Sequence, residues 1–149
     1  FDLAVARVAA AREAIDAAAG DVLLTGRAEG FIRGRPDLDE ITRRLRAYAE
    51  AGADCLYAPG IRTPEQITAV VQAVAPKPVN LLVGAATGMT VAEYAALGVR
   101  RISTGGALAR AAWGGFMRTA AGIAGDGSFE GFREAAGFGE IERGIAGGG

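Results

Sequence analysis

The hydrophobic pattern of the chain switches repeatedly between two periods. Segments whose apolar residues return every third or fourth position predict amphipathic helices, and the short unbroken apolar runs between them predict strands buried on both faces. Leu3, Val8, Ala11, Ile15 and Ala18 share one helical face, which predicts a helix over 3–19, capped by Asp2 and closed by Gly20 in a left-handed conformation. Residues 22–24, Val-Leu-Leu, follow as a buried strand ended by Thr25 and Gly26. Asp37 and Glu40 have capping-box spacing for a second helix with inner face Leu38, Ile41, Leu45 and Tyr48, ended by Gly52. Residues 54–58 predict a second strand, stopped by Pro59 and Gly60.

Thr63, Pro64 and Gln66 make a strong helix start, with Ile67, Val70, Val71 and Val74 facing inward. A third strand is expected over 79–83, and a short helix capped by Thr90 and Glu93 ends at Gly98. A fourth strand is expected over 100–104, a long helix over 107–124, a turn at 125–128 and a short amphipathic helix over 130–136. Three of the strands follow similar words: Ala-Gly-Asp at 19–21, Ala-Gly-Ala-Asp at 51–54 and Leu-Gly-Val-Arg at 97–100. Helices that end in glycine and turn straight into a buried strand argue for an α/β fold with a parallel sheet and right-handed crossovers.

Two closures fit that pattern. An open, doubly wound sheet buries its middle strands and has a switch point; part of an eight-stranded barrel leaves two edges in need of partner strands. Only Arg100 and Arg101 supply charge that could protect an edge. A TIM-type (β/α)8 barrel takes about 200 residues or more, so 149 residues supply about half of one. The expected organisation is a single unit of four parallel βα segments over 1–124, a C-terminal helical extension over 125–143, and a tail over 144–149 too rich in glycine to order itself. The long helix carries Leu108, Trp113, Phe116, Met117 and Ile123 around most of its circumference, with Arg110 and Arg118 as its only charges. Such a helix suits cover on two or more sides, as at a subunit interface, although an alanine-rich helix also tolerates exposure.

Composition narrows the function. Half of the residues are apolar and the net charge is −1, which argues against a nucleic-acid or membrane surface built on bulk charge. All basic residues but Lys77 are arginine, a compositional bias. The chain has no histidine, so it lacks the usual near-neutral acid–base group and the commonest metal ligand. The single cysteine, Cys55, excludes an internal disulfide and a cysteine metal cluster; inside a predicted strand, it reads as core rather than as a catalytic thiol. No signal segment and no apolar run of about 18 residues occurs, so a cytoplasmic protein is the simplest expectation. The first residue, Phe1, suggests a processed, trimmed or incomplete chain.

The candidate chemistry sits at the carboxyl end of the first strand, where Arg27 and Glu29 stand. Ligands of parallel α/β folds bind at that end, and a guanidinium there suits a carboxylate or phosphoryl group held by two parallel hydrogen bonds. Taken alone, the two residues equally describe a self-neutralising surface pair. A second anion site is conceivable at Gly84 and at Gly105-Gly106, glycines at the ends of the third and fourth strands, though a tight strand–helix turn explains the latter as well.

Four segments together, 24–29 (Leu-Thr-Gly-Arg-Ala-Glu), 48–54 (Tyr-Ala-Glu-Ala-Gly-Ala-Asp), 77–80 (Lys-Pro-Val-Asn) and 98–106 (Gly-Val-Arg-Arg-Ile-Ser-Thr-Gly-Gly), resemble the isocitrate lyase/phosphoenolpyruvate mutase superfamily. The resemblance runs from about residue 5 to residue 135 and covers the later half of that family's barrel. It implies a Mg2+-dependent enzyme that makes or breaks C–C or C–P bonds of small 2-oxo acids or phosphonates through an enolate-like intermediate, a lyase or phosphonomutase inactive as this fragment alone. It further implies that Arg27 is catalytic and contacts the substrate's acidic group, that Glu29 stands near the metal's water shell, and that Asn80 is a substrate-binding group at a strand end. The family's metal-binding aspartates and gating loop belong to the first half of the barrel, so direct Mg2+ ligands are expected outside this chain. Residues 57–60, Tyr-Ala-Pro-Gly, stand where tricarboxylic-acid lyases carry a carboxylate, which argues against that substrate class. The last barrel helix, 107–124, is expected to be exchanged between subunits of a homo-oligomer. The remaining alternatives are a phosphate-binding barrel enzyme using Gly84 and Gly105-Gly106, and a non-catalytic fragment that self-associates through 107–124.

Overall fold

A computed structural model describes residues 1–147 and divides the chain into two compact units, one from Phe1 to Gly105 and one from Gly106 onward. In the first unit the elements run α1 (Asp2–Ala17), β1 (Thr25–Arg27), α2 (Leu38–Glu50), β2 (Cys55–Tyr57), α3 (Pro64–Val74), β3 (Val79–Leu82), α4 (Val91–Ala96) and β4 (Arg101–Ser103). A 3-10 turn, Phe31–Arg33, interrupts the loop after β1.

The four strands form one parallel sheet in the order β1-β2-β3-β4. Strand order follows chain order throughout, so the sheet has no switch point of the kind that defines a doubly wound fold. This is an α/β arrangement consistent with part of a TIM-type barrel. The core fills the space between one sheet face and the helices: Leu56, Val79 and Leu81 from the strands meet Ile41, Leu45 and Tyr48 of α2, Ile67, Val70 and Val74 of α3, and Tyr94 of α4. Gly26 belongs to this face. A Cβ on it would come within 3.0 Å of Tyr48 Cβ and 3.1 Å of Ala53 Cβ, so the missing side chain is what lets α2 lie against β1.

The helix signals act locally and the elements begin where they say. Asp37 accepts from the Glu40 backbone N–H, and Thr63 with Gln66 and Thr90 with Glu93 each form a complete capping box. Gly52 and Gly98 take φ of +102° and +94° at the turns into β2 and β4.

Several expectations need correction around α1. The segment 22–24 is not a buried strand: Val22 and Leu23 are 58% and 77% exposed, and the strand begins at Thr25. Only Leu24 joins the ladder, its carbonyl accepting from the Asp54 and Cys55 N–H groups, because β2 does not extend back to pair with Val22 and Leu23. Asp2 lies inside α1 and does not cap it; Phe1 holds the cap position without a side-chain hydrogen bond. Leu3 and Ala18 are exposed, and the helix rests on Ala4, Val5 and Val8. Ala19, not Gly20, takes the positive φ at its end.

The second unit contains α5 (Ala107–Asp126), a 3-10 turn Glu130–Glu134 where a short α-helix was expected, and α6 (Phe138–Ala146). Gly127 ends α5 in a left-handed conformation. Helix α6 corrects the expected disorder of the glycine-rich end for residues 144–146; residues 148 and 149 lie outside the described part. No residue of α5 is buried, and Leu108, Trp113, Phe116 and Met117 are exposed. Among the described residues no helix is long and apolar enough to cross a membrane.

Candidate active site

Side chains alternate along a strand, so the residues flanking the core positions point to the opposite face. On that face stand Thr25 and Arg27 of β1, Cys55 and Tyr57 of β2, Asn80 and Leu82 of β3, and Arg101 and Ser103 of β4. The register places four of them in one row across the sheet, Arg27 beside Tyr57, Tyr57 beside Asn80, and Asn80 beside Arg101. Because the row runs obliquely, Arg27 is the last residue of β1 whereas Arg101 is the first of β4.

Arg27 stands at the carboxyl end of the sheet, its side chain 45% exposed. Its guanidinium carbon lies 5.0 Å from the centre of the Tyr57 ring, within cation–π range. Arg27 Nε is 3.0 Å from Glu29 Oε1, and the other carboxylate oxygen of Glu29 receives Arg33 Nε at 3.1 Å. The self-neutralising pair therefore forms, its closest contact made through Nε of Arg27. The terminal nitrogens of a guanidinium form the planar edge that can grip an oxyanion, and this side chain keeps close to half of its surface exposed. The ladder hydrogen bond from Ala28 N–H to the Tyr57 carbonyl, 3.0 Å, holds the backbone beside it.

Asn80 sits two strands away and is 2% exposed. Its Nδ2 donates to Ser103 Oγ at 3.0 Å, while its Oδ1 is buried with no partner among the described residues. A buried acceptor without a donor costs about 1–3 kcal/mol, so this oxygen calls for a donor, from water or from a ligand hydroxyl. Arg27 and Asn80 thus share a face but not a contact.

Cys55 is buried on the same face. Burial pushes its thiol up, and the nearby Arg101 guanidinium pulls it back only in part, which suits an inert core thiol rather than a nucleophile. Gly84 follows the end of β3, and Gly105 takes φ +54° in the turn after β4. Tyr57, Ser103 and Arg101 are members of this face that the sequence reading did not place beside Arg27 and Asn80. The signal that could have found them is the two-residue period of the strands, usable only with the register in hand.

The chain can be set beside known proteins at this point. Its residues 1–124 match the sequence profile of phosphoenolpyruvate phosphomutase. A crystal structure of a protein from Burkholderia cenocepacia J2315, provisionally described as a lyase/mutase, superposes with a TM-score of 0.88 at 46% identity, covering 97% of this chain and 52% of that one. Phosphonopyruvate hydrolase superposes with a TM-score of 0.69 at 31% identity, covering 96% of this chain and 51% of the hydrolase. An uncharacterized protein of Mycobacterium tuberculosis (strain H37Rv) is 32% identical over 86 residues, which are 57% of this chain and 32% of that protein. The chain therefore spans about half the length of its solved relatives and less of the curated one. A profile match over most of the chain, with four parallel strands in chain order beneath it, means that this protein belongs to the phosphoenolpyruvate phosphomutase family.

Proposed function

We propose that this chain is the later half of a TIM-type barrel enzyme that makes or breaks a C–C or C–P bond of a small 2-oxo acid or phosphonate through an enolate-like intermediate, with Arg27 binding the substrate's acidic group. The observation that carries the reading is the guanidinium of Arg27 at the carboxyl end of β1, half-exposed and braced by Tyr57 and Glu29. Family membership, and a relative named for its action on phosphonopyruvate, favour an oxyanion as its ligand. Glu29 and Tyr57 take up the rotational freedom of the side chain beforehand, so less is lost when the ligand binds. Glu29 also offsets part of the charge, which keeps the site selective for a group with two coplanar oxygens rather than for any anion. Asn80 would supply its Oδ1 to a substrate hydroxyl or an ordered water.

Mg2+ dependence belongs to this reading of the complete enzyme. Among the described residues no three acidic, cysteine or histidine side chains gather into a metal site, and each oxygen of Glu29 already faces a guanidinium. In this reading the direct ligands of the ion come from the part of the enzyme outside this chain, with Glu29 at most beyond a metal-bound water.

The test is Arg27→Ala in the complete enzyme, assayed on phosphonopyruvate and on a panel of 2-oxo acids. The expected result is a fall in kcat/KM on the order of a hundredfold or more with an unchanged circular dichroism spectrum, as for removal of one oxyanion donor. Full activity in that variant overturns the assignment. If instead Gly106→Val abolishes ligand binding while Arg27→Ala is silent, the phosphate-binding alternative takes its place.

A further inference from the structure

All-parallel sheets are covered on both faces in folded proteins, because each crossover returns through a helix or a neighbouring strand layer. Here α2, α3 and α4 cover one face, and the opposite face presents Arg27, Leu82 and Arg101 exposed. Strands β1 and β4 each pair on one side only. What covers that face must answer its charge. The strand residues facing that way, Thr25, Arg27, Cys55, Tyr57, Asn80, Leu82, Arg101 and Ser103, include two guanidiniums and no carboxylate. Arg27 has Glu29, at the carboxyl end of the sheet. Arg101 lies exposed at the amino end of β4, and no ion pair with a carboxylate is found for it among the described residues.

We infer that this face docks onto a second, non-identical set of parallel strands that brings a carboxylate to Arg101. A guanidinium covered without an anion loses its hydration with nothing in return, so the covering surface must supply one. A second copy of this chain does not: its own inner face brings two more guanidiniums and no acid, and like charges set across an interface repel. The solved relative at 46% identity is about twice as long as the stretch matched by this chain, enough for a covering layer of comparable size. The inference rests on the half-barrel reading above and adds the charge pair that seats the two halves. Arg101 has no part in binding substrate; it sits at the end of the strands where such barrels place stability rather than chemistry.

The test co-expresses this chain with a tagged segment comprising the part of the Burkholderia cenocepacia relative that the chain leaves unmatched, and measures how much chain is retained. The expected result is retention of the wild type, with Arg101→Glu reducing it on the order of tenfold and Arg101→Gln reducing it less. An Asp→Lys or Glu→Lys exchange in the tagged segment that restores Arg101→Glu would identify the facing carboxylate. Equal retention of all three chains overturns this inference and leaves the half-barrel reading standing. Failure to retain even the wild type overturns both. Circular dichroism of each variant alone checks its fold, and Arg101→Gln decides the matter if the charge reversal does not fold.

Discussion

At the scale of single residues, the proposed site depends on what stands next to Arg27 as much as on Arg27 itself. Replacement by lysine keeps the charge but removes the planar fork that spans two oxygens. Arg27→Lys in the complete enzyme is therefore expected to recover little of the activity lost in Arg27→Ala, measured as kcat/KM; full recovery would mean that charge alone is used. Its neighbour Gly26 carries a separate prediction. Three carbon atoms stand within 3.0–3.1 Å of where its Cβ would be, so Gly26→Ala is expected to destabilise the fold by about 1–3 kcal/mol in urea titrations. Arg27 and Glu29 were legible as candidates because their residue types and position at a strand end carry the chemistry. Tyr57 and Arg101 were not, since their roles depend on which side of a neighbouring strand they occupy.

At the scale of elements, the helix starts are set by short polar words. Thr63 accepts from the Gln66 backbone N–H at 3.3 Å, and Gln66 Oε1 accepts from Thr63 N–H at 3.3 Å. Thr63→Ala is expected to cost about 1 kcal/mol of stability by thermal or urea unfolding. In α4 the Glu93 carboxylate accepts from the Thr90 backbone N–H at 2.6 Å and from the Thr90 hydroxyl at 2.8 Å. Those bonds, the backbone one foremost, hold its carboxyl below the ordinary 4.5. A lowered folded value means that the stabilisation is present above 4.5 and is lost as pH falls through the folded value. Glu93→Gln is thus expected to flatten the stability profile on the acid side of 4.5, read from urea midpoints across pH; an unchanged profile would remove Glu93 from the acid response. The sequence misjudged elements where pairing was the deciding factor. Val22 and Leu23 look like strand because they are apolar, yet β2 begins at Cys55 and leaves them without a partner.

At the scale of the whole molecule, two surfaces stand exposed: the open face of the sheet and the apolar circumference of α5. Trp113, Phe116 and Met117 are all exposed on α5, with Trp113 and Phe116 packed edge to face at 5.3 Å. We propose a homo-oligomer through this helix, in which α5 is exchanged between subunits and these side chains are covered. Trp113→Glu in the complete protein is expected to shift the mass measured by light scattering toward the monomer; an unchanged mass would place the interface elsewhere.

The amino-acid sequence by itself determined the α/β class, the number of strands, the caps of α2, α3 and α4, and Arg27 with Glu29 as the place to look for chemistry. These depend on neighbours within a few residues, where propensity, capping and periodicity act. The tertiary structure alone decided where each strand begins, that β1-β2-β3-β4 run without a switch point, and that Arg27, Tyr57, Asn80 and Arg101 form one row across the sheet. Register is a relation between strands about 20 to 30 residues apart along the chain, and a slip of one residue would turn every one of those side chains to the other face.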